Sequence, residues 1–325
     1  MQENMTSSLE LARNNLSSVP VLVFILGFIA ARIKSDVRLP DQVYQFISIY
    51  LLFGIGLKGG YSLQGASLSE VLAPSIATVV LGCIIPAVAF ATLKFIKRLN
   101  EIDRGAIAAH YGSTSLVTFS AALIFLENSG ISFEGYATAL LTIMEIPGII
   151  IGIYLGARHR PIKVSWSETL HEVLTGKTVM LLVGGLFIGM LTTQTGYETV
   201  SPFFIGLLNG ILALFLMHLG FVAGSNWNEI KEVGLPMAAF AIVFPVFAGV
   251  IGIIGGNLVG LSIGGTVVVA VLCASASYIA APAAVSVALP EAKASLALVS
   301  SIGVTFPFNL IIGIPLYVEL AKLFS

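Results

Sequence analysis

Three short stretches concentrate the chemistry-bearing residues of an otherwise apolar chain. The first reads His110-Tyr111-Gly112-Ser113-Thr114-Ser115-Leu116-Val117-Thr118, the second Ser275-Ala276-Ser277-Tyr278-Ile279-Ala280-Ala281-Pro282, and the third Met144-Glu145-Ile146-Pro147. Serine, threonine and glycine give a backbone local alternatives to the helical ladder. Pro282 cannot donate an amide and disfavours helix at Ala281. Amides freed at a helix N-terminus bind an anion, while freed carbonyls and hydroxyls coordinate a hard cation. Glu145 is the one acid deep inside an apolar segment, where a carboxylate is costly unless it is partnered or faces a polar cavity. Pro147 frees the carbonyl of Ile143 as a further oxygen. One carboxylate with several hydroxyls and carbonyls suits one or two Na⁺ ions, and no His or Cys set points to a transition metal. No catalytic residues are expected. Ser115 and His110 stand five residues apart, more than one helical turn, and no Walker A motif is present.

These residues need a frame, and the composition says which solvent it lives in. Only 10% of the 325 residues are charged, 57% are apolar, and the mean hydropathy is +0.97. A water-soluble domain must present a solvated exterior that this chain lacks. Soluble enzymes are excluded, and so are nucleic-acid binders, since the net charge is only −1. The apolar residues come in helix-length blocks, so the expected class is an all-α polytopic membrane protein. Ten candidate spans run at 19–33, 41–57, 70–93, 104–125, 133–156, 178–193, 201–222, 235–256, 265–288 and 296–321. Turn residues mark several connections, among them Asn128-Ser129-Gly130, Gly196 and Gly224-Ser225-Asn226. Lys58, His218, Trp166 and Trp227 are expected near interfaces or in loops. Cys83 and Cys273 read as ordinary core cysteines.

Thirteen Lys and Arg fall at the connections after odd-numbered spans and three elsewhere. That bias puts the odd connections in the cytoplasm of a cell inner (plasma) membrane and both termini outside. The halves also align at an offset of 160: Gly60 with Gly220, Gly105 with Gly265, Ser115 with Ser275, Pro147 with Pro307. Five spans per copy makes the second copy inverted, as in secondary transporters. The expected fold is ten transmembrane helices as two inverted five-helix repeats with broken helices 4 and 9. Its parts are a polar extracellular tail (1–18), a first repeat (19–156), a cytoplasmic linker (157–177) and a second repeat (178–325).

The motifs at 110–119, 127–134, 144–147, 275–282 and 305–309, in this order and spacing, resemble the sodium-dependent bicarbonate transporter family. The resemblance implies Na⁺ symport of bicarbonate by alternating access, usually as a homotrimer, with the substrate held between the two broken helices. It implies Gly112, Ser113, Thr114, Ser115 and Thr118 facing Ser275, Ala276, Ser277 and Tyr278 across the substrate. It implies Na⁺ ligands at Ser115, Thr118, Glu145, Ser275 and Ser277. Na⁺ is the coupling ion and no organic cofactor is expected. The short 157–177 connection lacks the long insertion of some relatives, so a PII-like regulator is not carried over. Two alternatives remain open at this point: Na⁺-coupled symport of another small carboxylate, and Na⁺/H⁺ antiport through Glu145.

Overall fold

The computed structural model describes residues 13–158, 164–228 and 234–324, and among these there is no strand. The first half contains α1 (Val19–Arg32), α2 (Asp41–Leu63), α3 (Leu68–Thr92), α4 (Glu101–Gly112), α5 (Leu116–Asn128) and α6 (Ala137–Ala157). Next come α7 (Trp166–Thr175), α8 (Lys177–Leu191), α9 (Gln194–Phe204), α10 (Leu208–Ser225) and α11 (Leu235–Leu258). The last are α12 (Ile263–Ala274), α13 (Ala280–Ala288) and α14 (Ser295–Phe324). Helices satisfy their backbone internally, which is what a hydrocarbon solvent demands. Their outward faces are apolar: Leu22, Leu26 and Ile29 on α1 and Val243, Phe247 and Leu258 on α11 are all exposed. This is a multi-pass membrane protein.

Among the described residues, seven helical stretches are long and apolar enough to cross a bilayer, and α7 with α8 makes an eighth if that pair, bent by 53°, counts as one span. Three of the ten expected segments fall short of a full crossing helix, one of them α8, which has 15 residues without α7. The 14 residues of α1 rise about 21 Å, against a hydrocarbon core of about 30 Å. The stretch expected at 265–288 is divided into α12 and α13, of 12 and 9 residues.

Other expectations shift locally. The 157–177 connection holds an amphipathic helix, α7, which buries Thr169 and Val173 and packs on α13; residues 159–163 lie outside the described part. Gly196 sits inside α9 rather than in a turn. Of the expected tail, 1–12 lie outside the described residues, and Asn15 is buried. Its side chain donates to the carbonyls of Leu310 and Ile311 at 2.9 and 2.8 Å. His218 is buried in α10 with its ring 4.9 Å from that of Tyr44. Lys58 lies within α2, which runs on to Leu63, and pairs with Glu127 at 3.5 Å.

Packing sorts the helices into groups. α1 lies along α10, and α8 lies along α2. Both crossings are backbone-close: a Cβ at Gly220 would stand 2.0 Å from the Phe24 carbonyl oxygen, and one at Gly60 2.0 Å from that of Leu186. Small residues at such crossings let helices gain dispersion contact that lipid cannot compete for. α3, α4 and α6 pack together, as do α11, α12 and α14. The stretch from α4 to α5 is the most buried of the spanning segments, so the first polar run is carried by the central element.

Candidate functional site

Both polar runs interrupt their helices. α4 ends at Gly112, and Ser113 and Ser115 are extended (φ −93°, ψ 160° and φ −106°, ψ 109°). Ser115 restarts the helix as the cap of α5, its hydroxyl oxygen accepting from the Thr118 amide at 3.2 Å and the Thr118 hydroxyl at 3.0 Å. A serine cap satisfies an amide that the first turn otherwise leaves unpaired. In the second run α12 ends at Ala274, Ser275 is extended (φ −87°, ψ 169°), and helix resumes at Ala280. Ser277 accepts the Ala281 amide at 3.3 Å.

The two interruptions cross in direct contact. The Ser115 amide donates to Ser275 Oγ at 2.9 Å, and the Ser277 amide donates to the His110 carbonyl at 2.7 Å. The Ser115 and Tyr278 hydroxyls lie 3.4 Å apart. Gly112, Ser113, Thr114, Ser115, Thr118, Ser275, Ala276, Ser277 and Tyr278 are all buried. The N-terminal ends of α5 and α13 therefore meet the C-terminal ends of α4 and α12 in one place, bringing positive and negative helix poles together.

α6 holds the crossing from below. A Cβ at Gly148 would stand 1.9 Å from the Gly112 carbonyl oxygen, so only glycine lets α6 reach the break. One turn earlier Glu145, buried, accepts a hydrogen bond from the Thr114 hydroxyl. The Ser113 hydroxyl is buried beside the same carboxylate. Among the described residues no cluster of His, Cys, Asp or Glu could hold a metal. The donors at the crossing are thus neutral oxygens plus one carboxylate, a set that fits a hard monovalent cation and not a transition metal.

Thr114, Ser115, Glu145, Ser277 and Tyr278 line a cavity of about 10 Å³. That is room for about one water-sized species. Gly112, Ser113, Thr118, Ser275 and Ala276 lie behind this wall rather than in it. α8 closes the opposite side with Thr178 and Leu182, which the sequence did not single out. Thr178 reads as an ordinary polar residue in the first turn of a helix, and only the packing of α8 onto the crossing reveals it. Thr178, Tyr278 and Ile279 also bound a wider cavity of about 370 Å³ that reaches Glu172 and Lys177.

α14 supports the second break through two π-helical stretches, Ser301–Thr305 and Asn309–Gly313. Asn309 donates to the carbonyl of Ala274, the last residue of α12, at 2.8 Å, and is itself held by the Tyr317 hydroxyl at 2.8 Å. Thr305, which the offset of 160 pairs with Glu145, lies 2.7 Å from the Tyr111 hydroxyl and donates to the Ala241 carbonyl at 2.7 Å. His110 is a core imidazole whose Nδ1 lies 2.8 Å from the Ala106 carbonyl; its backbone, not its ring, takes part in the crossing.

Residues 20–322, nearly the whole chain, match the family model of the Na⁺-dependent bicarbonate transporter superfamily. No curated protein matches the chain.

Proposed function

We propose, on the premise that this chain belongs to the Na⁺-dependent bicarbonate transporter superfamily, that it is a symporter carrying bicarbonate with Na⁺ across a cell's inner membrane by alternating access. The observation that carries the reading is the crossing of two interrupted helices with Ser115 bonded to Ser275. A midplane site built from discontinuous helices is the architecture of secondary transport. The bicarbonate is assigned to the amide-rich ends of α5 and α13, with Ser115, Ser277 and Tyr278 as hydroxyl partners. Na⁺ is assigned to Glu145, Thr118, Ser115, Ser275 and Ser277, close enough to the anion for each ion to offset the other's charge in a low dielectric. That mutual neutralisation is the physical basis of coupling: either ion alone is buried unpaired, at a cost of several kcal/mol.

The reading includes ten spans in two inverted repeats, 19–156 and 178–325, joined by the cytoplasmic linker 157–177, with both termini outside. Two features support it. An offset of 160 carries α1 onto α8 and α2 onto α10, so the observed pairs α1 with α10 and α8 with α2 exchange places. Ser115 and Ser275 differ by that same offset and touch each other, as equivalent residues on a two-fold axis do. Motion then takes place between the group formed by α1, α2, α8 and α10 and the group that carries the crossing. A homotrimer is the assembly assigned by resemblance.

Purified protein in proteoliposomes tests this. Labelled bicarbonate is expected to accumulate only down an imposed Na⁺ gradient, with acetate and pyruvate failing to compete. Equal background uptake with and without Na⁺ overturns the symport reading, and competition by the organic acids reassigns the substrate to a wider carboxylate class.

A further inference from the structure

Away from the crossing, three connections from distant parts of the chain converge on a cavity of about 550 Å³. Its wall contains Lys97 and Arg98 after α3, the Gly234–Met237 start of α11, and Lys293 just before α14. None of the three cationic side chains has a hydrogen-bond or ion-pair partner among the described residues, although the chain pairs other cations readily (Arg104 with Glu101, Lys322 with Glu319). α11 is a 24-residue helix that begins at the cavity with glycine as its N-cap and Pro236 in its first turn; no side chain caps its amides. Its positive pole therefore adds to the three cations. The same rim exposes large apolar groups: Phe95 is 87% and Leu235 83% accessible. A site that binds only a small soluble anion has no use for an apolar rim, whereas an acyl chain beside a phosphate needs both.

We propose that this cavity binds the phosphate headgroup of an anionic phospholipid, with the acyl chains running along Phe95 and Leu235. The ligand is recognised by charge and by the boundary between polar and apolar surface. The assignment is independent of the transport reading except that the expected orientation puts all three connections on the cytoplasmic face. An anionic lipid there bridges α3, α11 and α14, joining the segments that precede α4, α11 and α14 on one side of the bilayer. A basic pocket between membrane helices on that face is a general headgroup site.

The test uses the full-length protein in neutral detergent. Retention of phosphatidylglycerol is measured by native mass spectrometry for wild type, Lys293→Gln, and Lys97→Gln/Arg98→Gln/Lys293→Gln, with phosphatidylcholine and inorganic phosphate as parallel probes. Each lost cation is expected to weaken phosphatidylglycerol about fivefold, the triple variant about a hundredfold, with phosphatidylcholine unaffected. Lys293→Gln, a single exposed change, gives the reading should the triple variant elute as aggregate. Undiminished phosphatidylglycerol retention in the variants overturns the site. Inorganic phosphate displacing the lipid at equal concentration overturns the assignment to lipid. Failure of Na⁺-driven uptake, a separate measurement, bears only on the transport reading.

Discussion

Glu145 and Thr114 are the residues on which the proposed Na⁺ coupling turns. A carboxylate this buried depends on what faces it, and here that is a hydroxyl bonded to it directly. Hydrogen bonds to charged groups contribute about 1.5–3 kcal/mol, so Thr114→Val is expected to raise the Na⁺ concentration for half-maximal uptake about tenfold or more. Glu145→Gln keeps the shape and the Thr114 contact but removes the charge. It is expected to abolish Na⁺ dependence while leaving expression and oligomer size near wild type; unchanged Na⁺ dependence in titrated uptake shows the residue to be structural. Glu145 was legible in the sequence because a lone acid in an apolar segment demands a reason. Thr178 was not, since a threonine in the first turn of a helix carries no such demand. Thr178→Val is expected to change the bicarbonate KM while leaving detergent-solubilised stability unaltered, because Thr178 lines the cavity and its hydroxyl has no hydrogen-bond partner among the described residues.

At the scale of the helix, Asn309, the last residue of the 305–309 motif, holds the end of α12. It takes the last carbonyl of α12 within a π-helical stretch of α14. Asn309→Leu leaves that acceptor buried and unpaired, at a cost of about 1–3 kcal/mol. A lower unfolding temperature in detergent is expected, together with reduced uptake; unchanged values in both remove Asn309 from the support of the break. Gly148→Ala is expected to be worse than its size implies, because its methyl meets the Gly112 carbonyl, a backbone atom that cannot rotate away. The interruptions themselves were legible, since clustered serines weaken a helix by known local chemistry. Pro282, expected to disfavour helix at Ala281, instead sits in the first turn of α13 with Ala281 helical, a position where a missing amide costs no hydrogen bond. The ends of α1 were legible too, expected at 19–33 and found at Val19–Arg32. The presence of α7 was not, since an amphipathic turn in a basic connection takes its form from what it packs against, here α13.

For the molecule as a whole, the proposed motion places α8 on one moving body and α6 on the other. Leu182 and Leu141, one from each, line the same small cavity. In a background lacking Cys83 and Cys273, cross-linking Leu182→Cys to Leu141→Cys with a short bifunctional maleimide is expected to abolish uptake, with either single cysteine active after the same treatment. Full activity in the cross-linked protein shows that these surfaces do not separate. The proposed repeat was legible only as an offset in residue number; its consequence in space, that a residue can meet its own counterpart, needed the fold. That meeting bears on discrimination. The Ser115 amide is already engaged by the protein's own hydroxyl, so on the proposed reading cargo enters by eviction rather than by dropping into a gap. A trigonal oxyanion, the proposed cargo, presents three oxygens to donors spaced along the two breaks, whereas a spherical halide must meet all of its donors from a single centre. Under the proposed function, that internal competitor makes cargo shape, and not charge alone, the basis of selection.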